Sequence, residues 1–504
     1  METATTPAAD RRGVPPGARA PSLADALAPI VALVVLLGLS YYLFGDQASA
    51  GPNQIALLFC GLIAAGVAVK NGMPWEGIRQ ATLDGVASGL GAVLILLAVG
   101  ALIGTWALSG TIVTMVAYGL KLLSPNYFYM TSGLICAAVA LCIGSSWTVA
   151  GTIGIGLMGV ADAAGLSPAI TAGAVISGAY FGDKASPLSD TVNLAAVSAG
   201  SDVFPHIRES LFTSVPSLLL ALLLFALLGQ PGEFDATATL AGLERHFVVS
   251  PWAFLPLAFV LALAVLRFPP FVTIFAGALL GGVMAVVLNP DAVVTFAADP
   301  RLGRPLALLK GVWSALATGY RASTGEPALD QLLSRGGMES MLGTVWLIIT
   351  ALAFGAIVEH AGMLERLIGP VRSRARSGGA LVAAVVGTCL GANLVTSDQY
   401  IAIVLPGRMF RAEFVRRGLA TVVLSRAVGD SAPVTSPLIP WNSCGAYMAA
   451  TLGVPAFAYA GFCFFNLINP LATIGFAFLG LRMLRPPSGG TVAVGPEAGQ
   501  PVAG

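Results

Sequence analysis

The sequence predicts an all-helical protein that crosses a membrane many times. Of its 504 residues, 56% are apolar and 10% are charged, whereas an average soluble domain has about 25% charged residues. The 60 glycines and 32 prolines lie largely inside apolar runs, and both residue types are more frequent in transmembrane helices than in soluble ones. Many of these runs approach the length of about 20 apolar residues that spans a bilayer.

Runs of this kind follow one another along almost the whole chain. Several are short or interrupted, and a bilayer tolerates an interrupted helix only where protein or water satisfies the backbone. The broken segments are therefore where we expect function to lie. The predicted runs are 24–44, 53–70, 85–110, 127–147, 148–165, 168–183, 206–229, 251–267, 269–289, 340–362, 378–405, 418–430 and 453–482.

The two halves of the chain resemble each other, which predicts an internal duplication. We expect a disordered tail (1–22), a first transmembrane repeat (23–230), an inter-repeat loop (231–250), a second repeat (251–485) and a disordered tail (486–504). Three blocks recur in the same order: Gly91-x-Val93 with Gly343-x-Val345, Cys142-Ile-Gly144 and Gly182-Asp183 with Cys389-Leu-Gly391 and Gly429-Asp430, and Ser186-Pro187-Leu188 with Ser436-Pro437-Leu438.

Positive charge predicts that the repeats have inverted topology. Cytoplasmic loops carry an excess of Lys and Arg, and arginines cluster in the N-terminal tail and after several of the apolar runs. All these clusters face the cytoplasm if 127–165 and 378–405 are re-entrant hairpins. The chain then has about ten transmembrane helices plus two hairpins, with both termini in the cytoplasm and 290–339 as an outside loop.

A dense polar segment follows the apolar run 168–183. An ionisable residue in a bilayer costs about 2.5–3.5 kcal/mol even on a lenient insertion scale, and such residues are usually functional. Pro187 disfavours helix at Ser186, so the helix should open there and free carbonyl oxygens for a cation such as Na⁺. The polar residues are Asp183, Lys184, Ser186, Ser189, Asp190, Thr191 and Asn193.

A similar polar segment follows the run 418–430, and the two hairpins add polar tips. For Asp183 and Lys184 alone a structural ion pair is an alternative, but repetition in both halves favours an ion site. Glu359, His360 and Asp84 are expected at interfacial or solvated positions. The second group comprises Asp430, Ser431, Thr435, Ser436 and Asn442, with Ser145, Ser146 and Thr148 at one tip and Asn393, Thr396, Ser397 and Asp398 at the other.

Several other classes of protein do not fit the sequence. A net charge of +1 gives no basic field for nucleic acid. A GxGxxG match at Gly154 lies in membrane-like surroundings and not in a βαβ unit, so it indicates close helix packing. The sequence contains no P-loop and no Gly-x-Ser-x-Gly motif, and no histidine lies in the polar clusters. These motifs therefore do not indicate an enzyme. We expect no cofactor.

Two long stretches, SGAYFGDKASPLSDTVNLAA (177–196) and TSPLIPWNSCGAYMAATLGVP (435–455), resemble the signature stretches of the NhaC-type Na⁺/H⁺ antiporters. The resemblance covers residues 25–480 and is strongest at 177–200 and 425–455. The resemblance implies a bacterial inner-membrane antiporter. It also implies the fold of that superfamily, which has paired inverted repeats with re-entrant hairpins. Family members often have an acidic residue before the aspartate matched by Asp430, where this chain has Gly429.

The resulting hypothesis is a single site that Na⁺ and H⁺ share and reach alternately from the two sides of the membrane. Asp183 and Asp190 would be the titrating ligands, with Asp430 and Asp398 supporting them from the second repeat. Sodium would be held by Asp183, Asp190, Ser186 and Asp430. The expected partners are Na⁺, H⁺ and the lipid bilayer, with a second copy of the chain as a candidate.

A coupled transporter of a small carboxylate or amino acid, driven by Na⁺ or H⁺, stays open as an alternative. The N-termini of the half-helices after the proline breaks could hold a substrate carboxylate through backbone N–H groups. Thr435, Ser436 and Asn442 would then contact the substrate.

Overall fold

The computed structural model describes residues 19–229, 241, 243–245, 247–323, 330 and 333–485. Within these ranges the regular elements are helices, and eight are long and apolar enough to cross a membrane. This confirms the prediction of a polytopic all-α membrane protein. The predicted tails, except residues 19–22, lie outside the described residues. The eight helices are Leu23–Phe44, Pro52–Lys70, Trp75–Leu108, Pro125–Ile143, Val203–Leu227, Pro270–Leu288, Met338–His360 and Gly378–Thr396.

Caps and left-handed residues set the helix ends in the first half. The Ser22 hydroxyl accepts a hydrogen bond from Asp25 N at 3.1 Å, and the Asp25 carboxylate accepts one from Ser22 N at 3.1 Å, which is a capping box. The helices are α1 (Leu23–Phe44), α2 (Pro52–Lys70), α3 (Trp75–Ser88), α4 (Leu90–Leu108), α5 (Thr111–Leu122), α6 (Phe128–Ile143), α7 (Ser146–Val149), α8 (Ile155–Ala163), α9 (Pro168–Ala185), α10 (Asp190–Ala199) and α11 (Val203–Leu227).

The regular elements described in the second half are also helices, beside an isolated β-bridge between Tyr320 and Arg335. Residues 290–339 were predicted as a loop, but they contain two helices, α14 and α15, because their apolar residues recur at helical spacing. The helices of this half are α12 (Leu255–Val265), α13 (Pro270–Leu288), α14 (Pro290–Ala297), α15 (Arg304–Thr318), α16 (Leu342–His360), α17 (Met363–Arg374), α18 (Gly378–Thr396), α19 (Gln399–Arg416), α20 (Thr421–Gly429), α21 (Ala432–Thr435), α22 (Ser443–Leu452), α23 (Ala456–Ala460) and α24 (Phe464–Phe478).

Helices α6, α7 and α8 form a helical hairpin. Gly178 and Gly182 of α9 pack so tightly on α6 that an added Cβ would lie 2.0 Å from Gly133 O and 2.3 Å from Ala137 O. The equal spacing of these contacts along both helices means that α6 and α9 run parallel. The chain between them therefore reverses after α6 and returns through α7, the π-helical turn Ala150–Gly154 and α8.

Helices α18 and α19 form a second hairpin. The Arg417 guanidinium, just after α19, donates a hydrogen bond to Ala375 O, just before α18, at 2.6 Å. The two outer ends therefore lie together, and the chain reverses at Ser397 (φ 59°). The helix α19 continues to Arg416, so this hairpin is longer than the run 378–405. How far either hairpin enters the bilayer stays a prediction.

The two halves share an order of elements, with a hairpin followed by a broken helix in each. The sequence comparison matched Gly144 with Gly391, and this pairing is wrong, because Gly144 is at a hairpin tip and Gly391 is inside α18. The inverted orientation and the repeat boundaries stay predictions. Structural pairs that are 253 positions apart are Gly144 and Ser397 at the tips, Pro168 and Thr421 at the starts of α9 and α20, Asp190 and Ser443 at the starts of α10 and α22, and Gly200 and Gly453 after them.

Candidate ion-binding site

Asp183 lies at the end of α9, where the chain breaks before α10. Its Oδ2 accepts hydrogen bonds from the backbone N–H of Ser146 at 3.0 Å and from the Ser146 hydroxyl at 2.7 Å. Its Oδ1 is buried without a hydrogen bond of regular geometry among the described residues, and the Ser189 hydroxyl lies nearby. The carboxylate is therefore held by the tip of the first hairpin, while one oxygen stays available.

Gly144 allows this approach. Its φ is 75°, a region that glycine adopts freely. A Cβ at this position would also lie 2.7 Å from Leu188 Cβ and 2.9 Å from Ser189 N. The tip of the hairpin thus fits directly against the break in the broken helix, and this fit places Ser146 beside Asp183.

Two further carboxylates are linked by Tyr400 of α19. The Tyr400 hydroxyl donates a hydrogen bond to Asp190 Oδ2 at 2.8 Å, and its backbone N–H donates to Asp398 Oδ1 at 2.7 Å. Asp398 caps α19 and also accepts from Ile401 N at 2.9 Å. Asp190 comes from the first half and Asp398 from the second, so Tyr400 joins the halves at their polar centres. The sequence analysis missed Tyr400, although its position two residues after Asp398 was a signal.

Asp183, Asp190 and Asp398 border one cavity of about 530 Å³. Ser146, Asp190, Gln399 and Ser443 are the first residues of four helices, and all four line this cavity. Helix N-termini carry partial positive charge and stabilise carboxylates. The cavity therefore combines three carboxylates with helix ends that fix their positions, and Arg267 is a basic residue on its wall.

A second cavity, of about 490 Å³, shares Asp398 and Tyr400 with the first. It also has Asp84, Glu359 and His360 on its wall. These three residues were expected at interfacial or solvated positions. The structure places them in the same cavity as Asp398, where the Asp84 and Glu359 carboxylates add negative charge. The second cavity therefore forms an acidic approach to the first.

Asp430 lies apart from this arrangement. It does not line the 530 Å³ cavity; its carboxylate forms an ion pair with Lys184. Its Oδ2 also accepts hydrogen bonds from the hydroxyls of Thr213, at 2.8 Å, and Thr473. All four side chains are buried. The sequence analysis grouped Asp430 with Asp183, and it missed both threonines because single hydroxyls in apolar helices are a weak signal.

The other predicted site residues support the backbone around the two breaks. Asn393 donates to Ala432 O at 2.6 Å and to Thr435 Oγ1 at 3.1 Å, and Asn442 donates to Asn393 Oδ1 at 3.2 Å. These bonds tie the second hairpin to the second break. Local hydrogen bonds also engage the hydroxyl of Ser186 with Leu188 N, Ser189 with Val192 N, Thr396 with Ala392 O, Ser431 with Ala427 O and Ser436 with Pro433 O, and the amide of Asn193 with Ser189 O. Ser397 is buried at the tip, and Thr191 lines the cavity.

Comparison with known proteins matches this chain to one family. The model of the Na⁺/H⁺ antiporter family matches residues 178–481. The chain is 36% identical to the Na⁺/H⁺ antiporter NhaC of Alkalihalophilus pseudofirmus over 85% of this chain and 90% of the relative. It is also 36% identical to the Na⁺/H⁺ antiporter NhaC of Bacillus subtilis, over 84% of this chain and 92% of the relative.

A relative named for a different exchange is also similar to this chain. The malate-2H⁺/Na⁺-lactate antiporter of Bacillus subtilis is 32% identical over 87% of this chain and 91% of the relative.

Proposed function

The chain belongs to the Na⁺/H⁺ antiporter family, and on this premise we propose that it exchanges Na⁺ for H⁺ at the cavity bordered by Asp183, Asp190 and Asp398. The observation that carries the proposal is the Asp183 carboxylate, which is buried beside a cavity and has one oxygen without a regular hydrogen bond. Asp183 forms no ion pair within the described part of the chain. A buried carboxylate in this state attracts either a proton or a cation.

The exchange follows from competition for the same oxygens. With Na⁺ bound, the Asp183 and Asp190 carboxylates supply negative charge and oxygen ligands, which hard cations prefer. A proton on Asp183 neutralises that charge and releases the ion. Because the site holds either Na⁺ or a proton and not both, it carries Na⁺ across the membrane in one direction and a proton in the other. Cytoplasmic Na⁺ leaves and a proton enters.

The ligand set differs from the one predicted from sequence. We replace Ser186 and Asp430 with Asp398, because the Ser186 hydroxyl is engaged by Leu188 N and Asp430 by Lys184. Asp398 Oδ1 accepts hydrogen bonds from backbone N–H groups in the first turn of α19. Its carboxylate adds a charge from the second half to the cavity wall.

Alternating access requires the two halves to move against each other at the hairpin tips. Each tip touches the broken helix of the other half. Trp147, after the first tip, stacks on Tyr447 of α22 with ring centroids 4.0 Å apart, and Tyr400, after the second tip, binds Asp190 of α10. We place these contacts at the sliding surface, in a bacterial inner membrane with both termini in the cytoplasm.

A coupled exchange of organic acids is the second candidate function. A cavity of about 530 Å³ is much larger than a sodium ion needs, and pockets for small molecules begin at about 300 Å³. Arg267 and the helix N-termini on its wall could hold a carboxylate. One similar protein is named as a malate-2H⁺/Na⁺-lactate antiporter.

Purified protein in proteoliposomes distinguishes the two functions. A pH-sensitive dye inside the vesicles reports proton movement after Na⁺, Li⁺ or K⁺ is added outside, first alone and then with malate or lactate. Proton movement driven by Na⁺ alone is the expected result. A response that requires an organic acid would move the assignment to the coupled exchanger. Protein-free liposomes serve as the control.

A further inference from the structure

The surroundings of Asp430 contain more polar oxygen than its ion pair uses. Two transmembrane helices, α11 and α24, donate hydrogen bonds to Asp430. The Thr213 hydroxyl of α11 donates to its carboxylate at 2.8 Å, the Thr473 hydroxyl of α24 donates to the same oxygen, and Asn469 of α24 donates its amide to Asp430 O at 3.2 Å. Thr213, Thr473, Asn469 and Asp430 are each 0% exposed.

Several oxygens on α11 and α24, the two helices that donate to Asp430, have no hydrogen-bond partner among the described residues. They include Asn469 Oδ1, Asn466 Oδ1, Ser210 Oγ and Ser214 Oγ, and these side chains are at most 1% exposed. Because Asn469 is held at Asp430 by its amide nitrogen, its free oxygen lies in the same centre. Buried polar atoms are nearly always paired in native proteins. Donors such as Lys184 Nζ and His206 Nε2 also lack a regular hydrogen bond, so the two amide oxygens, which can only accept, are the atoms that indicate a missing positive ligand.

One positive group is already there. The ammonium of Lys184 is 3% exposed and pairs with Asp430. Arg426, one turn before Asp430, lies 3.7 Å from Glu209, and Glu209 also pairs with Arg482. The charge of Asp430 is therefore balanced chiefly by Lys184. His206 lies against Gly429 and bonds to Ser425, and the Asp183 carboxylate borders the same small pocket as Lys184 and His206.

We propose that Asp430, Thr213, Thr473 and Asn469 form a second monovalent-cation site, which the tethered ammonium of Lys184 fills in this conformation. The proposal goes beyond the exchange at the 530 Å³ cavity, which neither Lys184 nor Asp430 lines. A single carboxylate balances a single positive charge, and the described residues contain no group of three or more His, Cys, Asp or Glu suited to a polyvalent metal. Sodium and an ammonium group are alike in charge and both bind carboxylate, hydroxyl and carbonyl oxygens.

The test removes the tethered cation. Lys184→Ala leaves the Asp430 carboxylate buried without a partner, so a soluble cation should take the vacated place. Equilibrium binding of ²²Na⁺ to the purified full-length protein in detergent is measured for the wild type, Lys184→Ala and Lys184→Ala/Asp430→Asn. We expect Lys184→Ala to bind one more Na⁺ per chain than the wild type and the double variant to lose that ion.

A thermal measurement supports the count and guards against misfolding. Lys184→Gln, which keeps most of the side-chain volume, is made in parallel. NaCl should raise the melting temperature of each single variant more than choline chloride does, and this difference should disappear when Asp430→Asn is added. An extra ion that survives Asp430→Asn, or a Lys184 variant with neither an extra ion nor a specific Na⁺ effect, would overturn the proposal.

Failure of this inference can be separated from failure of the proposed function. Asp183, Asp190 and Asp398 are intact in every variant of the binding series, and the result is a difference between variants. Exchange at Asp183 is tested by measuring transport, whereas the second site is tested by counting bound Na⁺, so the two results are independent.

Discussion

Asp183 and Asp430 are both buried aspartates near breaks in transmembrane helices, yet the structure gives them opposite surroundings. Asp183 borders a cavity of about 530 Å³ and forms no ion pair within the described residues. Asp430 is fully enclosed and is paired with Lys184. We therefore expect Asp183, which borders a cavity and has no fixed counter-ion among the described residues, to be the carboxylate that exchanges ions in the wild-type protein.

The largest effect is expected at Asp183. Asp183→Asn removes the charge that attracts Na⁺ and the group that takes up the proton, so Na⁺-driven proton movement in proteoliposomes should fall to background. The matched control is Asp299→Asn. Asp299 lies between α14 and α15, where hydrogen bonds from Arg301 and Lys310 lower the pKa of its carboxyl to about 2, and its loss should leave exchange unchanged. Normal exchange by folded Asp183→Asn protein would refute the assignment.

The second effect concerns stability. Asp430→Asn leaves the buried ammonium of Lys184 without its partner, and breaking a buried ion pair in this way costs about 3–5 kcal/mol. The melting temperature in detergent should fall clearly. Lys184→Met/Asp430→Asn removes both charges and should recover most of the loss. Equal melting temperatures for Asp430→Asn and the wild type would contradict the ion pair.

A smaller effect is expected at Tyr400. Tyr400→Phe removes the hydroxyl that donates to Asp190, so Asp190 is held less firmly for Na⁺. Loss of about 1 kcal/mol corresponds to a roughly fivefold higher KM for Na⁺ with a similar maximal rate. Tyr129→Phe is the control, because the Tyr129 hydroxyl accepts from Ser167 N at the other end of the hairpin. A similar change of KM in both variants would remove Tyr400 from the site.

The smallest effect is expected where the first tip meets α22. The Tyr447 hydroxyl donates to Trp147 O at 2.8 Å, and Tyr447→Phe should cost about 0.5–1.5 kcal/mol of stability while leaving the ring stack in place. Thermal unfolding measures the loss. If exchange were abolished with stability unchanged, this contact would be part of the ion site and not of the sliding surface.

Much of the fold could be predicted because hydrophobic length and proline breaks are local signals. The opening of the helix before Pro187 is present, since α9 ends at Ala185 and α10 begins at Asp190. The positions of arginines also predicted two hairpins, and the chain does reverse after α6 and after α18; that these hairpins are re-entrant stays a prediction. The correct pairing of the halves was not, because glycines such as Gly144 and Gly391 match by type without sharing a structural position.

The site was only partly predictable. Asp183, Asp190 and Asp398 were predicted because carboxylates are rare in apolar runs, and the structure brings them to one cavity; their role as ion ligands stays a prediction. Asp430 does not line the cavity that these three border, and the side of a helix end that a carboxylate faces cannot be read from the residue types around it. Tyr400 and Thr213 acquire their roles only through contacts more than 200 positions away in the chain.

The most direct test of the central claim is the Na⁺ dependence of exchange in wild-type proteoliposomes, measured at a series of pH values on the side from which Na⁺ enters. If one carboxylate site holds either Na⁺ or a proton, the apparent KM for Na⁺ should rise as the pH falls, while the rate at saturating Na⁺ stays constant. A KM independent of pH, with only the maximal rate changing, would contradict a shared site.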